Sequence, residues 1–215
     1  MSKVAAEHKD YDSAAKSIDE TLQTMGLDHL DMMIIHSPQP WVDVNTSDDR
    51  FYEGNIEAYC ALEDALSAGK LRAIGVSNFL QGDLQNILGN CSVVPAANQV
   101  LCHVGNTPFD LMDFDREHGI LTEAYSPVAH GAILNNDAIA EIAQHYGATV
   151  PQLCIRYDLQ LGCVALPKTA NPVHMEANAE IDFEISDDDM ETLKAMSCTD
   201  YGDASVFPVY GGKMR

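Results

Sequence analysis

The sequence lacks the features that mark a membrane or a secreted protein. No stretch of it approaches the roughly 18 to 20 apolar residues that a membrane-spanning helix needs. It opens with no basic segment followed by an apolar run, so no secretory signal is predicted. The expectation is a soluble, cytoplasmic, globular protein, which at 215 residues and 46% apolar content can bury a sizeable core.

Positive charge is scarce as well. The chain has 12 Lys and Arg residues against 33 Asp and Glu, which gives a formal net charge of -21. Such a chain repels phosphate backbones and anionic lipid surfaces. Neither nucleic acid nor a membrane is therefore expected as a partner, and the acidity is typical of a well-solvated surface.

Paired metal-binding spacings are also missing. The six cysteines include no C-x-x-C pair, and the eight histidines are scattered along the chain. Cys60, Cys154 and Cys163 lie within apolar patterns of helix or strand, which is typical of reduced, packed thiols in a cytosolic protein. Without paired cysteines or an H-E-x-x-H spacing, the sequence predicts no structural or catalytic metal.

What the sequence contains is an alternation of helix and strand patterns. Apolar residues recur at helical steps from Asp12 to Met25, and Gly26 follows in the place of a helix-ending residue. Leu30 to Ile35 is a short apolar run of the kind found in a strand buried on both faces. Further strands are predicted near 71–76, 94–98, 120–124 and 163–166, and further helices near 56–66, 80–88, 137–146 and 151–161.

Three polar positions are predicted to begin additional helices. Thr107 and Pro108 have the residue types of an N-cap and a first helical residue, and Asn171 and Pro172 repeat that pattern. Ser186 begins a pattern that resembles a capping box. Each of these positions would place a short helix directly after a predicted strand or loop.

Strands separated by helices predict a parallel sheet with right-handed crossovers. Pattern alone leaves two architectures open, a doubly wound sheet and a (β/α)8 barrel. No G-x-G-x-x-G follows any predicted strand, which weakens the doubly wound alternative for a nucleotide binder. The chain shows no internal repeat, low-complexity stretch or linker, so residues 1–215 are expected to form one domain.

Polar residues stand at or just after the ends of the predicted strands, where the site of a parallel α/β barrel lies. They are His36, Ser77, Asn78, Gln99, Tyr125, Ser126 and Lys168. Behind the last strand, the free N–H groups at the predicted helix start of Asn171 lie beside Lys168. Together they predict a local anion site on an otherwise acidic chain.

Several of these segments, in this order, resemble the aldo-keto reductase family. They are His36-Ser37-Pro38 with the preceding residues 27–31, Gly75 to Phe79, Tyr125-Ser126-Pro127 and Pro167-Lys168. The resemblance covers about Lys3 to Met196. It implies a (β/α)8 TIM barrel, in which hydride passes from NADP(H) or NAD(H) to the carbonyl of a small aldehyde or ketone that a tyrosine acid polarises.

The resemblance also implies catalytic roles. His36 matches the family histidine that orients the substrate carbonyl, which a neutral imidazole does by donating one hydrogen bond. Lys3 aligns with the family lysine that lowers the pKa of the tyrosine, although its supporting strand is not expected in this chain. The family Asp and Tyr would lie upstream of any residue present. Tyr11, expected at a helix start, and Tyr52, expected in an acidic loop, are not assigned as the acid.

The implied cofactor contacts come from the later strands. Ser77, Asn78 and Gln99 match residues that hydrogen-bond the nicotinamide carboxamide, and Tyr125 matches the aromatic residue that stacks on its ring. The pyrophosphate and adenosine parts would rest on Ser126, Pro127, Val128, Lys168, Thr169, Ala170, Asn171, His174 and Asn178.

Cofactor and substrate preference stay open at this point. His174 stands where many relatives carry an Arg that binds the 2′-phosphate of NADPH. A mostly neutral imidazole cannot form that bidentate contact, so use of NADH is an alternative. Trp41, after the His36 loop, and the tail with Phe207 and Tyr210 correspond to loops that shape the substrate pocket.

A barrel of this kind runs to about 250 residues, and the chain is expected to hold its last five strands and the tip of the strand before them. It is then an N-terminally truncated barrel with two open sheet edges, which favour self-association. Two functions stay open, a carbonyl reductase whose activity in isolation is in question and a non-catalytic nicotinamide-dinucleotide-binding or interaction module. An unrelated barrel that binds sugar phosphates is a third interpretation.

Overall fold

A computed structural model describes residues 1–210 and contains, within them, six strands that alternate with helices. The strands are β1 (Ser2–Val4), β2 (Met33–Ile35), β3 (Ile74–Ser77), β4 (Ala97–Leu101), β5 (Leu121–Tyr125) and β6 (Val164–Leu166). They form one sheet in the order β1-β2-β3-β4-β5-β6, and the registers described are parallel. A strand order that follows the chain without reversal is that of the (β/α) barrel class and not of a doubly wound sheet. The predicted fold class is confirmed.

Helices connect the strands throughout the described chain. They are α1 (Tyr11–Met25), α2 (Tyr52–Ser67), α3 (Gln81–Asn90), α4 (Phe109–Glu117), α5 (Asp137–His145), α6 (Val150–Gln160), α7 (Pro172–Ala177) and α8 (Asp187–Lys194), with 3-10 turns at Ala129–Gly131, Gly202–Val206 and Pro208–Tyr210. Within residues 1–210, none of the helices has the length and apolar character needed to cross a bilayer.

Two positions differ from the sequence-based expectations in a way that affects the site. Lys3 lies in a strand, β1, which pairs in parallel with β2, so its supporting strand is present after all. Tyr52 is the first residue of α2 and does not lie in a loop. Both expectations failed because the pattern is short there: β1 has three residues, and α2 begins ahead of its first apolar repeat.

The predicted helix caps are confirmed in three of four cases. Gly26 ends α1 in the left-handed conformation at φ 63°, and the side chains of Asn171 and Ser186 accept hydrogen bonds from the first turns of α7 and α8. The prediction for Thr107 is wrong. Helix α4 begins at Phe109, and the Thr107 hydroxyl instead contacts the hydroxyl of Tyr157 at 2.8 Å, because that largely buried phenol needs a polar partner.

The chain divides into two compact units, and the expectation of a single domain stays a prediction. Of the described residues, unit 1 comprises 1–99 and 110–121, and unit 2 comprises 100–109 and 122–210. The core of unit 1 is formed by helices α1, α2 and α3 on the strands, with fully buried side chains such as Ile18, Met33, Leu62 and Leu84. Each such side chain stabilises the fold by about 1.5–3 kcal/mol.

Gly75 lets two strands of unit 1 pack closely. A Cβ at this position would lie 2.6 Å from the carbonyl oxygen of Ala97 in β4 and 3.2 Å from Cγ2 of Ile34 in β2. Neither neighbour can move without disturbing the sheet, because one is a backbone atom and the other is a fully buried side chain. The glycine is therefore a requirement of the strand packing.

Unit 2 has its own core, built mainly from α5, α6 and α8 and including Leu153, Tyr157 and Leu193. The segment after α8 is fastened to the turn after β4, since Cys198 N donates a hydrogen bond to the carbonyl of Gly105 at 3.0 Å. Gly105 has φ 88°, and a Cβ there would lie 2.5 Å from Cys198 N. This contact also requires a glycine.

Candidate active site

The polar residues at the strand ends of unit 1 form one hydrogen-bonded cluster. Lys3 Nζ in β1 donates to Oε1 of Gln99 in β4. Ser77 Oγ donates to the Gln99 carbonyl at 2.8 Å, and Asn78 N donates to the same oxygen at 2.9 Å. Asn78 Nδ2 in turn donates to the carbonyl of His36 at 3.0 Å. The sheet thus brings together all five residues that the sequence predicted for this part of the site. Lys3 and Gln99 lie inside β1 and β4, and the other three lie at or just after strand ends.

The contact between Lys3 and Gln99 reports on the shape of the sheet within unit 1. In a flat sheet β1 and β4 would be separated by three strand spacings, roughly 14 Å. Two long side chains meet across that span most readily where the sheet curves towards them, as it does in a barrel. The curvature thereby places a cationic ammonium group beside buried amide and hydroxyl groups.

The backbone directly after two of the strands is unusual. Asn78 follows β3 with φ 61°, and Ser126 follows β5 of unit 2 with φ 56°, both in the left-handed region that residues other than glycine rarely adopt. Asparagine tolerates this conformation better than most residues because its side chain can hydrogen-bond locally. Such strain costs on the order of 1 kcal/mol or more and is concentrated at functional sites.

His36 lies directly after β2 and is half-buried. Its backbone N–H donates to the carbonyl of Val4 at 3.0 Å, and its ring meets Trp41 edge-on with centroids 4.9 Å apart. Burial lowers the pKa of His36, the nearby Lys3 charge lowers it further, and Glu7 partly opposes this. The imidazole is therefore neutral at pH 7 and can donate one hydrogen bond, as the sequence analysis expects for a residue that orients a carbonyl.

In unit 2, Tyr125 and Ser126 lie against the tail that follows α8. Ser126 Oγ is 2.8 Å from the hydroxyl of Tyr210, whose ring is 4.6 Å from that of Tyr201. Burial, with a smaller contribution from Tyr210 and Tyr201, holds the pKa of Tyr125 well above its ordinary value. Tyr125 thus remains a neutral phenol, as a stacking residue should.

The remaining residues of unit 2 that were predicted to bind the cofactor differ in exposure. Pro127 is buried, and the half-buried Val128 packs against the unit 2 core. Those after β6 are mostly open to solvent: Lys168, Ala170, Asn171 and His174 are exposed, and Thr169 and Asn178 are half-buried. Exposed groups of this kind gain a fixed position only when a ligand holds them.

Lys9 is a residue of the site region that the sequence analysis missed. Its Nζ donates to the carbonyl of Ser37 at 2.7 Å and to Oδ1 of Asn55 at 2.8 Å. Asn55 Nδ2 donates to the carbonyl of Pro38 at 2.9 Å. Burial lowers the pKa of Lys9 to about 7, against the opposing effect of nearby carboxylates. The lysine therefore positions the loop that carries His36, and no sequence pattern separates it from a surface lysine.

A buried ion pair supports the same loop. The guanidinium group of Arg50 binds both carboxylate oxygens of Asp83, with 2.9 Å between Arg50 Nε and Asp83 Oδ1. The Asp83 side chain is 1% exposed and also accepts a hydrogen bond from the backbone N–H of Leu80. Arg50 further donates to Gln39 at 2.8 Å. The loop between β2 and α2 is thereby tied to the start of α3.

Comparison with known proteins agrees with this architecture. Residues 1–197 match the family model of the aldo/keto reductase family. The chain is 34% identical to the glyoxal reductase of Bacillus subtilis over 197 residues, which are 91% of this chain and 67% of that protein. It is 36% identical to an uncharacterized oxidoreductase of Schizosaccharomyces pombe over 185 residues, 85% of this chain and 62% of that protein. The chain therefore spans about two thirds or less of the length of these relatives.

Solved structures give the same result. An aldo-keto reductase from a deep-sea metagenome library, MGS-M4, superposes with a TM-score of 0.83 at 28% identity, over 91% of this chain and 70% of that one. An aldo-keto reductase of the silkworm Bombyx mori, solved in complex with NADPH, superposes with a TM-score of 0.80 at 30% identity, over 91% of this chain and 62% of that one. The chain belongs to the aldo/keto reductase family.

Proposed function

We propose that this chain carries part of the machinery for NAD(P)(H)-dependent reduction of aldehydes or ketones to alcohols. The observation that supports this most strongly is the unit 1 cluster. In it the Lys3 ammonium group donates to the amide of Gln99 and lies near enough to His36 to help keep the imidazole neutral. The name of the Bacillus subtilis relative, glyoxal reductase, favours a small reactive aldehyde as substrate.

The proposed roles follow from the chemistry of each group. His36 would donate its one N–H to the carbonyl oxygen of the substrate and so fix its orientation. Lys3 would place a positive charge near the proton donor, which lowers the pKa of that donor. Trp41, edge-on to His36, would limit the substrate to small molecules. When bound, the nicotinamide supplies the hydride.

The donor and acceptor groups of unit 1 suit a nicotinamide carboxamide. That group offers one carbonyl acceptor and two N–H donors, and Ser77, Asn78 and Gln99 supply hydroxyl and amide groups that are at most 6% exposed. Buried polar groups in fixed positions can select one face of the ring. In unit 2, the neutral Tyr125 would stack on the ring, and Ser126, Lys168 and the N–H groups at the start of α7 would meet the phosphates.

A second function, nicotinamide-dinucleotide binding without catalysis, is favoured by the positions of the unit 1 tyrosines. The Tyr11 hydroxyl donates to Asp64 on α2 at 2.7 Å, Tyr52 begins α2, and Tyr59 is fully buried within α2. Each belongs to the helical layer and not to a strand end. On this alternative the chain keeps the cofactor contacts and has no proton donor of its own.

A titration followed by an activity assay separates the two. The chain would be titrated with NADH and with NADPH, following the fluorescence of its single tryptophan, Trp41. Glyoxal would then be added, and the absorbance of the reduced cofactor followed. Binding with turnover supports the reductase, and binding without turnover supports the binding module. Affinity for sugar phosphates with none for either dinucleotide would refute both.

The role of His36 is tested by His36→Gln, which keeps a hydrogen-bond donor but moves it. We expect kcat to fall by about 10²–10⁴-fold, the usual contribution of a positioned proton-handling group, with little change in cofactor affinity. His145→Gln, on α5, is a control histidine outside the site and should change neither quantity. A rise in KM at unchanged kcat would show that His36 contributes to substrate binding and not to the chemical step.

Cofactor choice is tested at His174. The side chain is exposed, and an arginine there could form a bidentate contact with a 2′-phosphate. We expect His174→Arg to raise the affinity for NADPH at least several-fold relative to NADH. An equal change for both cofactors would place the 2′-phosphate elsewhere.

A further inference from the structure

Two cysteines and a glutamate of unit 1 lie together away from the candidate active site. Sγ of Cys60, Sγ of Cys91 and a carboxylate oxygen of Glu63 are all within 4.8 Å of one another, and all three residues are half-buried. Among residues 1–210 this is the only group of three or more His, Cys, Asp or Glu side chains with such spacing. At this separation the two sulfur atoms and the carboxylate oxygen can contact one ligand between them.

The fold positions these three groups from two elements. Cys60 and Glu63 are three residues apart on α2 and so project from the same face of that helix. Cys91 is the residue that ends α3. Cys91 lies between α3 and β4 and so precedes the start of β4, whereas Ser77 and Asn78 lie at and just after the end of β3.

The Glu63 carboxylate is held in place by the chain that follows Cys91. Its Oε1 accepts hydrogen bonds from the backbone N–H of Ser92 at 2.7 Å and of Val93 at 2.6 Å. A ligating carboxylate with such outer partners is oriented before a cation arrives. The same two bonds fix the backbone next to Cys91, so one carboxylate sets the geometry of two of the three groups.

The local charge favours a cation. Glu57 and Asp64 lie on the same helix as Cys60 and Glu63 and add to the negative charge near the group. A negative field of this kind disfavours an isolated thiolate and hence thiol redox chemistry, but it attracts a divalent ion that would itself displace the thiol protons. Tyr59, fully buried on the same helix, has a hydroxyl without a hydrogen-bond partner among the described residues.

We propose that Cys60, Glu63 and Cys91 form a binding site for a zinc-class divalent cation. Two sulfur ligands exclude Mg²⁺ and Ca²⁺, and two thiolates with one carboxylate suit Zn²⁺. Tetrahedral Zn²⁺ with bonds of about 2.0–2.3 Å places its ligands roughly 3.5–3.8 Å apart. The three groups lie within 4.8 Å of one another, so they need to approach by at most about 1 Å, and one coordination position is left for water. The cation joins α2 to the connection between α3 and β4.

The sequence predicts no metal because no short ligand spacing within one segment marks these three residues. Here the third ligand comes from a different helix, and only the packing of α2 against α3 reveals it. The site lies outside the proposed active site, so a bound cation would act on the stability of unit 1 and not on hydride transfer.

The experiment is a zinc titration of the whole chain, kept reduced with a phosphine, in competition with a chromophoric chelator. We expect one tight equivalent per chain. Cys60→Ser and Cys91→Ser should each weaken binding by at least about 100-fold, since changes in outer-shell residues alone cost 10–100-fold. Glu63→Gln keeps the acceptor for Ser92 and Val93 but removes the anionic ligand, so it should weaken binding without loosening the loop.

Cys198→Ser is the matched control. Cys198 is also a half-buried thiol, but it belongs to unit 2 and to no such group. Its replacement should leave zinc affinity unchanged. With Co²⁺ in place of Zn²⁺, a thiolate-to-cobalt charge-transfer band should appear in the wild type and in Cys198→Ser and be lost in Cys60→Ser and Cys91→Ser.

A readout on the unmodified chain guards against variants that fail to fold. Maleimide labelling followed by peptide mass spectrometry measures the reactivity of each cysteine. Zn²⁺ should protect Cys60 and Cys91 together and leave Cys198 reactive. Equal protection of all three, or the same zinc affinity in a Cys60→Ser/Cys91→Ser double variant, would overturn the proposal.

Discussion

Unit 1 buries or half-buries the polar residues of its candidate site, whereas unit 2 leaves three of its own, Lys168, Asn171 and His174, exposed. In unit 1, Ser77, Asn78 and Gln99 satisfy one another and Lys3 through hydrogen bonds between strand ends. In unit 2, Lys168 and His174 lie at the surface on either side of the short cap at Asn171. The side chains of unit 1 are held in fixed positions, as is needed to orient a reacting group. The exposed charges of unit 2 can attract a phosphate without being held in fixed positions.

The same contrast extends to buried ionisable groups. Unit 1 holds Asp83 in an ion pair with Arg50 and gives the half-buried Lys9 two oxygen acceptors. Unit 2 holds Asp158, which is 0% exposed and whose Oδ2 has no hydrogen-bond partner among the described residues. Among these examples, the groups of unit 1 have charged or polar partners, whereas burial raises the pKa of Asp158 in unit 2 and favours its neutral form. Four measurements test this difference.

The largest effect is expected for Asp83→Ala in unit 1. Removing the carboxylate leaves the Arg50 guanidinium and the Leu80 N–H without their partner in a buried setting, so the free energy of unfolding should fall by about 3–5 kcal/mol. Urea denaturation measures it. Asp31→Ala is the matched control, because its pair with Arg72 is exposed on both sides and is worth about 0–1 kcal/mol. Equal losses in the two variants would show that the ion pair of Asp83 is not effectively buried.

A large pH effect is expected for Asp158 in unit 2. Burial raises its pKa well above the ordinary value, and within residues 1–210 the one hydrogen bond described for its carboxylate comes from the Cys102 thiol at 3.8 Å. The native state then binds more protons than the unfolded state above a pH of about 3.9, so stability falls as pH rises, by up to about 1.4 kcal/mol per pH unit. Asp158→Asn should remove this slope between pH 5 and the folded-state pKa. An unchanged slope would mean that the carboxylate is ionised in the fold.

A smaller pH effect of opposite sign is expected for Lys9 in unit 1. Its pKa is lowered from 10.5 to about 7, so between these values the unfolded state binds more protons than the native state. Stability should therefore rise with pH through this window and be lost as pH falls through about 7. Ser37 and Asn55 accept hydrogen bonds from the charged form and so limit the lowering of the pKa. Lys9→Met should flatten this part of the pH profile, and a profile identical to wild type would contradict a lowered pKa.

The smallest stability effect is expected for Lys168→Ala in unit 2. The side chain is exposed, so the free energy of unfolding should change by no more than about 0.5 kcal/mol. Dinucleotide affinity should nevertheless fall, and its dependence on salt concentration should become weaker. Lys70→Ala, which removes an exposed lysine paired with Asp19, controls for the loss of surface charge. Equal losses of affinity in both variants would point to general electrostatics instead of a phosphate contact.

The parallel sheet and the location of the site could be predicted because they depend on local patterns. Runs such as Met33–Ile35 are apolar on both faces, and helical repeats separate them, which leaves few alternatives to a barrel-type sheet. The polar residues at strand ends, His36, Ser77 and Asn78 among them, follow directly from where the apolar runs stop.

Contacts between residues far apart in the sequence could not be predicted from local patterns. Lys3 belongs to a strand of three residues, and its contact with Gln99 depends on curvature across β1 to β4. The hydroxyl of Thr107 forms a hydrogen bond with the hydroxyl of Tyr157, whose position is set by the packing of α6. Lys9 is buried only because the loops around it fold over its side chain. In each case the deciding partner lies far away in sequence.

Gly75 and Gly105 also constrain how far the sequence can change. At both positions any side chain would collide with main-chain atoms, those of Ala97 in unit 1 and Cys198 in unit 2. In a saturation library selected for folded protein, these two codons should therefore return almost only glycine, while neighbouring codons vary. The two glycines also limit where this chain can be recombined with its longer relatives. A crossover that separates Gly75 from the Ala97 segment, or Gly105 from the Cys198 segment, would join surfaces that do not fit.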